Sequence, residues 1–132
     1  MAKCGFAAVI NEDKVLLVQI APPYTPAHYW NFPGGVIELS EQIEHGVARE
    51  VLEETGIVCA VGPLVESFTT PDNEIYRYKA TFVSGTITIQ ESEIEAAGWF
   101  SFQEALKLPL AFDVRSQIET LQQAASHAPN TK

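Results

Sequence analysis

The sequence predicts one domain of the α/β (α+β) class, in which a mixed β-sheet packs between α-helices. Two observations support this fold class. The chain has 132 residues, of which 46% are hydrophobic and 19% charged, and this is enough apolar sequence for one core. Short strand-like runs precede and follow one amphipathic helical segment, and the C-terminal part of the chain changes to helical spacing. This order is typical of a sheet with helices on its faces.

The N-terminal part is predicted to form a β-hairpin. Residues 4–10 and 15–20 are apolar runs, and the polar residues 11–14 between them are typical of a turn. Residues 21–29 contain three prolines, which remove backbone donors, so this segment is predicted to be a surface loop. A short extended segment at residues 30–32 ends at a Pro-Gly-Gly turn.

An amphipathic helix is predicted next. Ser40 would be its N-cap, with Glu41 in the first turn, where a negative charge favours the helix dipole. Gly56 would end the helix in the left-handed conformation. The residues expected to face the core are Val47, Ala48, Val51 and Leu52.

The C-terminal half is predicted to contain strands and then helices. The strands are expected at residues 57–61, 64–70, 74–83, 86–90 and 99–100, with an acidic loop at 91–97. Ser101 and Glu104 form a capping box for a short helix, and Asp113 would cap a last helix. The domain is expected to span residues 1–126, followed by a flexible tail at 127–132.

Composition excludes several classes of partner. The formal net charge is −9, with only eight Lys and Arg, which argues against binding to a nucleic acid polymer or an anionic membrane. No apolar run reaches the roughly 18 residues of a transmembrane helix. Cys4 and Cys59 are expected to be reduced thiols, which is typical of a cytoplasmic protein. We expect a monomer or a homodimer.

Three glutamates are crowded on the central helix. Glu50, Glu53 and Glu54 are spaced so that their side chains share one face. Like charges at this spacing repel each other unless a cation lies among them. A divalent-metal site is therefore the first hypothesis for this face. The alternative is an ordinary solvated face in which Arg49 pairs with Glu53 four residues away.

The spacing around these glutamates resembles a known signature. Five residues separate Gly35 from Glu41, and seven residues separate Glu41 from Arg49 and Glu50. Val51, the other two glutamates, Gly56 and Ile57 complete the pattern. This segment resembles the box of the Nudix hydrolases at every defining position. Residues 30–35 and 99–101 also resemble the family. Two positions differ from common members: Ser40 replaces a glycine, and Gly46 replaces an alanine.

The resemblance implies a Nudix fold and hydrolysis of a nucleoside diphosphate linked to another moiety, by attack of water at phosphorus. The cofactor would be Mg²⁺, with Mn²⁺ as a further possibility. By similarity, the metal ligands would be Glu50, Glu53, Glu54 and the carbonyl of Gly34. Arg49 would pair with the box carboxylates, including Glu41, and hold their geometry.

The general base stays open at the level of sequence. Within the box, Glu50 is the candidate, since a carboxylate can accept the proton of the attacking water. Outside the box, Glu93 in the acidic loop is the first candidate and Glu95 the second. Both loop residues could instead be solvated surface groups.

Three residues are candidates for substrate binding. Arg77 and Lys79 alternate with tyrosines on a predicted strand, so they would share one face and could contact phosphate. They could equally be charges that protect an edge strand. Tyr29 could stack on a base or ribose, although packing would also explain it.

The substrate is expected to be a small-molecule nucleotide or nucleoside diphosphate derivative. Nucleoside triphosphates, ADP-ribose and nucleotide sugars are all open. Pro71 lies fifteen residues after Gly56, near the distance at which members acting on ADP-ribose often carry a proline. The alternative function is a catalytically silent Nudix-fold domain that senses a nucleotide; such domains usually lose box carboxylates, and this chain keeps them. A purely structural or interaction domain would need the carboxylate cluster to be accidental.

Overall fold

The computed structural model describes residues 1–89, 92–111 and 113–126. In chain order, its elements are β1 (Ala2–Asn11), β2 (Lys14–Ile20), β3 (Trp30–Asn31), β4 (Gly34–Val36), α1 (Ile43–Thr55), β5 (Val58–Thr69), β6 (Asn73–Ser84), β7 (Ile94–Ser101), α2 (Phe102–Ala105) and α3 (Val114–Ser126). Within this described part, no helix combines the length and the apolar character that crossing a membrane requires.

The strands form one seven-stranded mixed sheet. Its main order is β3-β2-β1-β6-β5, while β4 pairs with β1 and β7 pairs with β2. β1 and β6 are parallel, and the other pairs are antiparallel. The mixed sheet with helices that the sequence predicts is therefore confirmed.

The helices cover opposite faces of the sheet. Successive residues of a strand point to opposite faces, and β1 accordingly places Val9 with α1 and Ala8 with α3. The core under α1 includes the fully buried Val47 and Val51, and the core under α3 includes Val114 and Ile118. Burying both faces leaves the loops between strands and helices to form the surface that could bind a ligand.

The start of α1 differs from the prediction. The N-cap is Gln42, which makes no side-chain capping bond, so the assignment of Ser40 as N-cap is wrong. Glu41 lies before the helix, and not in its first turn. Its carboxylate accepts hydrogen bonds from the Glu38 N–H at 2.9 Å and from Arg49. These bonds hold the residues before Ile43 in a turn, and the helix begins after them.

The buried face of α1 also differs from the prediction. Leu52 is 46% exposed, so its assignment to the core stripe is wrong, whereas Glu54 is only 4% exposed. The carboxylate of Glu54 accepts a hydrogen bond from the Gly34 N–H at 3.0 Å, which compensates for its burial. Gly56 ends the helix at φ 77°, as predicted, and its N–H donates to the Leu52 carbonyl.

The strand pattern after α1 is simpler than predicted. The two strands expected at 57–61 and 64–70 are one strand, β5, with register irregularities between Val61 and Glu66. Pro63 is tolerated inside β5 because β5 ends the main strand order and the irregularity removes the need for a regular ladder bond there. The strand predicted at 86–90 is absent from residues 86–89, and residue 90 lies outside the described residues.

The C-terminal elements agree with the prediction more closely. β7 begins at Ile94, five residues earlier than expected, because it pairs along β2 from Ile20 to Lys14. The capping box of α2 is present, with Glu104 N–H donating to the Ser101 hydroxyl at 3.0 Å. α3 begins directly after Asp113. The tail predicted at 127–132 lies outside the described residues.

Candidate functional site

Gly34 and Gly35 begin β4, so the turn predicted at Pro-Gly-Gly is in part a strand, and these glycines pack directly against the carboxylates of α1. A Cβ atom added to Gly35 would lie 2.6 Å from the Glu50 Oε1, and one added to Gly34 would lie 2.1 Å from the Gly5 carbonyl oxygen. Gly34 has no room for a side chain because its neighbours are backbone atoms, whereas a side chain at Gly35 would displace the end of the Glu50 side chain. The close approach lets the Gly34 N–H reach the buried Glu54. The start of β4 and the helix α1 are therefore packed closely against each other.

The guanidinium group of Arg49 donates hydrogen bonds to three carboxylates. Arg49 binds Glu41 in a bidentate manner, with N···O distances of 2.7 and 3.1 Å. Its Nη1 also donates to Glu50 at 3.1 Å and to Glu53 at 3.0 Å, and its Nη2 donates to the Val36 carbonyl. The positive charge that the crowded glutamates require is thus partly supplied by the protein itself.

This network keeps Glu41 and Arg49 ionised. The hydrogen bonds from Arg49, and then the bond from the Glu38 N–H, lower the pKa of Glu41 to about 2. The same bonds, above all those to Glu41, raise the pKa of Arg49. A salt bridge that is fully ionised at neutral pH gives the Arg49 side chain a fixed position from which it contacts Glu50 and Glu53.

Gly46 makes room for this salt bridge. A Cβ atom at position 46 would lie 2.7 Å from Glu41 Oε1 and 2.7 Å from Ile37 Cδ1. The space that glycine leaves is therefore occupied by the carboxylate that holds Arg49. This explains in physical terms why glycine occupies an interior helix position despite its unfavourable helix propensity.

The donor set of the box suits a hard divalent cation. Glu50, Glu53 and Glu54 offer carboxylate oxygens at three levels of burial, with Glu54 the most buried. Among the described residues, no three acidic, histidine or cysteine side chains are placed so that they could together hold a metal ion. Mg²⁺ is commonly held by one or two carboxylates and keeps several waters, so a preformed cage is not needed.

A cavity of about 190 Å³, which we call the site cavity, lies beside the box. Gly34, Gly35 and Glu54 line it on one side, and Glu93 lines it from the turn before β7. Glu95 has a different environment, since its carboxylate contacts the His28 ring. The sequence placed both glutamates in a loop, but Glu95 lies in β7, and of the two only Glu93 lines this cavity.

A larger cavity of about 630 Å³, which we call the large cavity, adjoins the site cavity. Phe6 and Asn31 line both cavities, so they form a shared wall. The remaining wall of the large cavity combines apolar and charged side chains, namely Cys4, Glu66, Phe68, Ile75, Arg77 and Asp113, with Thr70 and Asn73. The two cavities together could hold an extended ligand with one end at the box.

Arg77 lies in the wall of the large cavity and is only 5% exposed. Its Nη1 donates to Glu66 at 3.0 Å and to Asp113, and its guanidinium lies 5.3 Å from the centroid of the Phe68 ring. Its Nε is a buried donor without a hydrogen-bond partner among the described residues. β6 lies between β1 and β5, so the interpretation of Arg77 as an edge-strand charge is wrong.

The other two residues considered for substrate binding lie at the surface. Lys79 is exposed on β6, although it is also on an interior strand. Tyr29 is half-exposed, and its carbonyl accepts a hydrogen bond from the Ile20 N–H at 2.8 Å. The described walls of the two cavities contain neither side chain. Their predicted role in substrate binding stays a prediction.

Several cavity residues were missed in the sequence. Phe6 and Asn31 gave no signal beyond belonging to short strands, and Asp113 was interpreted only as a helix cap. The alternation of β1 places Cys4 and Phe6 on one face. That pattern could have grouped these two residues, but it could not show that β5 and α3 bring Glu66 and Asp113 to the same face.

Comparison with known proteins agrees with this geometry. The sequence matches the NUDIX domain family over residues 3–121. The chain belongs to the Nudix family. Residues 35–57, which include the glutamates on α1, are therefore its Nudix box.

Curated Nudix relatives include two bacterial NAD-capped RNA hydrolases named NudC. The protein from Haemophilus influenzae (strain PittEE) is 35% identical over 104 residues, which cover 75% of this chain and 39% of the relative. The protein from Pseudomonas aeruginosa (strain LESB58) is 36% identical over 103 residues, which cover 76% of this chain and 36% of the relative. The chain thus spans less than half the length of these relatives.

Solved structures of Nudix-like proteins cover nearly the whole chain. The Escherichia coli ORF135 protein is 29% identical with a TM-score of 0.74, covering 98% of this chain and 94% of that protein. An ADP-ribose pyrophosphatase from Streptococcus suis is 25% identical with a TM-score of 0.73, and the match covers 99% of this chain and 96% of that protein. A Nudix hydrolase from Nitrosomonas europaea is 23% identical with a TM-score of 0.83. The match covers 96% of this chain and 73% of that protein, which shows the shared fold.

Proposed function

We propose that this Nudix domain hydrolyses a phosphoric anhydride bond in a nucleoside diphosphate linked to another moiety. The observation that carries the proposal is the complete box, of which Gly34, Gly35 and Glu54 line a cavity that Glu93 also lines. The names of the relatives support the substrate class, because NAD-capped RNA and ADP-ribose both contain a diphosphate linked to a nucleoside. The −9 charge favours a small nucleotide over a polymer.

Glu50, Glu53, Glu54 and the Gly34 carbonyl would hold Mg²⁺ or Mn²⁺. The bound cation would polarise the phosphoryl oxygens and offset the repulsion between an acidic protein and its anionic substrate. The protein's own part is to hold the carboxylates in place. Arg49 does this for Glu50 and Glu53, and the Gly34 N–H does it for Glu54.

Glu93 is our choice for the group that accepts the proton of the attacking water. It lines the site cavity together with Glu54, and a general base must lie within hydrogen-bond reach of the proton that it removes. Glu50 is the alternative within the box, although one of its oxygens already accepts a hydrogen bond from Arg49. Glu93→Gln and Glu50→Gln, compared in single-turnover reactions with bound metal, distinguish the two.

The large cavity would hold the nucleoside part of the substrate. Its apolar residues Phe6, Phe68 and Ile75 suit a flat ring. The charge of Arg77 is shared with Glu66 and Asp113, so the wall carries a net negative charge and does not favour a phosphate. We therefore place the phosphates at the box and assign Arg77 to the nucleoside end.

The test is a panel of nucleoside triphosphates, ADP-ribose, dinucleotides and nucleotide sugars, with Mg²⁺ and with Mn²⁺, scored by product identity. On the best substrate, Glu53→Gln is expected to lower kcat by about a hundredfold or more, because it removes one charged ligand of the cation. Glu119→Gln on the exposed face of α3 makes the same change of charge and serves as the control. Undiminished hydrolysis by Glu53→Gln would overturn the proposal, and nucleotide binding without turnover would favour a sensor.

A further inference from the structure

We propose that His28 is a positioning residue. In this proposal it clamps the proline-rich loop at residues 21–29 to the segment that carries Glu93, and thereby holds the Glu93 carboxylate at the site cavity. The inference rests on the proposed function, in which Glu93 accepts the proton of the attacking water. His28 lies outside the Nudix box, and its role would be exerted through Glu93.

The backbone of His28 is fixed at the end of the loop. Its N–H donates to the Ile20 carbonyl at 2.7 Å, and its carbonyl accepts from Gln19 Nε2 at 3.0 Å. The next residue, Tyr29, accepts a hydrogen bond from the Ile20 N–H at 2.8 Å. The two ends of the loop are therefore joined across β2, and the position of His28 does not depend on the loop tip.

The conformation of His28 indicates a role for its ring. Its φ of 70° lies in the left-handed region, which is unfavourable for residues with a Cβ and which glycine adopts readily. The ring Nδ1 is hydrogen-bonded to the Glu95 carboxylate. Histidine at this position thus contributes a contact that glycine could not make. Strained backbone of this kind is often found at functional sites.

Glu93 lies between two attachments of its segment to the loop. The Glu93 carbonyl accepts a hydrogen bond from the Ala21 N–H at 2.8 Å, at the start of the loop. Two residues later, Glu95 contacts His28 at the end of the loop. Together the contacts tie the turn that carries Glu93 to both ends of the loop, which restricts how far its carboxylate can move.

The same loop forms part of the wall that faces the box. Tyr24 and Thr25 line the site cavity together with Glu93, Gly34 and Glu54. If the contact between His28 and Glu95 is lost, the backbone bond between Ala21 and Glu93 and the pairing of β2 with β7 remain. The end of the loop is then no longer attached to this segment, and the Glu93 carboxylate gains room to shift relative to the reacting water. Misplacement of a catalytic group by about 1 Å can cost up to about a hundredfold in rate.

The contact is not expected to act through global stability. The His28 side chain is 65% exposed and that of Glu95 is 30% exposed. Pairs with this exposure contribute little to the free energy of unfolding. An effect on catalysis that is much larger than the effect on stability would therefore distinguish a positioning role from a structural one.

The first variant is His28→Gly, which keeps the left-handed backbone and removes only the ring. With the best substrate of the panel and Mg²⁺, we expect kcat to fall about tenfold while KM changes less than about twofold. Glu12→Gly is the matched control, because Glu12 also has a positive φ, 57°, in the turn between β1 and β2. We expect His28→Asn to keep most of the activity, since asparagine tolerates this conformation and its amide can donate to Glu95.

The deciding measurement repeats His28→Gly in a Glu93→Gln background. If His28 acts through Glu93, kcat falls in the wild-type background and does not fall further in Glu93→Gln. An equal fall in both backgrounds, or no fall in either, would overturn the clamp. Glu95→Gln provides a second variant from the other side of the contact and is expected to show the same pattern. Absence of metal-dependent turnover in the wild type would overturn the proposed function itself, and the clamp with it.

Discussion

Two arginines in this domain are each surrounded by carboxylates, yet they are built in different ways. Arg49 contacts Glu41, Glu50 and Glu53, all within one stretch of sequence. Arg77 contacts Glu66 on β5 and Asp113 before α3, which are distant in sequence. The first network is local and lies at the face for which we propose metal binding. The second is assembled by the fold and lies in the wall of the large cavity.

The two networks would serve different parts of the substrate: the Arg49 network the phosphates, and the Arg77 network the nucleoside. The Arg49 network fixes the groups that would act on phosphate, and its geometry follows from the spacing on one helix. The Arg77 network joins two strands and a helix, and it leaves a buried Nε donor without a described partner. A buried donor in a cavity wall is expected to be satisfied by a water or by a ligand. Changes to the two arginines should therefore have different consequences.

The largest expected effect comes from breaking the first network. Arg49→Gln should lower kcat by about a hundredfold, because Glu50 and Glu53 lose the group that orients them. The free energy of unfolding should also fall, by about 1–3 kcal/mol, because Glu41, whose side chain is only 10% exposed, loses its charged partner. Steady-state kinetics with Mg²⁺, together with urea unfolding, measure both quantities. A variant with normal kcat would show that the network does not position the metal ligands.

The matching change in the second network should mainly affect stability and substrate affinity. Arg77→Met is expected to lower the free energy of unfolding by about 1–3 kcal/mol, because buried hydrogen bonds to charged partners are lost. KM should rise while kcat stays within a few fold of the wild type. Urea unfolding and substrate titration test this expectation. A fall in kcat as large as that of Arg49→Gln would remove the distinction between the two arginines.

A smaller effect is expected at Gly46, which borders the first network. Gly46→Ala places a Cβ 2.7 Å from Glu41 Oε1, so Glu41 must move. The cost of overpacking, about 1–3 kcal/mol, is partly offset by about 1 kcal/mol of helix propensity. We expect a net destabilisation of about 1 kcal/mol and a modest fall in kcat. A more stable variant with normal kcat would contradict the role of Gly46 in making room for Glu41.

The smallest effect concerns acid stability. The pKa of Glu41 is lowered from 4.5 to about 2 in the folded protein, so its ionised form stabilises the fold. This contribution is fully present above the pKa of the unfolded state and is lost as the pH falls from about 4.5 towards 2. In metal-free protein, Glu41→Gln should therefore weaken the dependence of the urea midpoint on pH in this range. Identical pH dependence in the variant and the wild type would contradict the assignment.

Much of the fold could be predicted because its signals are local. Two apolar runs separated by a polar turn indicated the β1–β2 hairpin, and glycine marked the end of α1 at position 56. The errors came from interactions with distant residues. Ser40 was assigned as a cap because its position suits one, but Glu41 is bonded to Arg49 and the helix starts later. Leu52 fits the helical stripe, yet Glu54 takes the buried position because the Gly34 N–H compensates for its charge.

By itself, the sequence determined the family, the fold class and the box of glutamates around Arg49, since all of these depend on spacing within one segment. Only the tertiary structure placed Glu93, and not Glu95, at the site cavity. Only the tertiary structure joined Arg77 to Glu66 and Asp113 and brought His28 to the segment beside the box. The physical reason is that these contacts join elements far apart in the chain, and their positions are set by sheet order and packing on both faces.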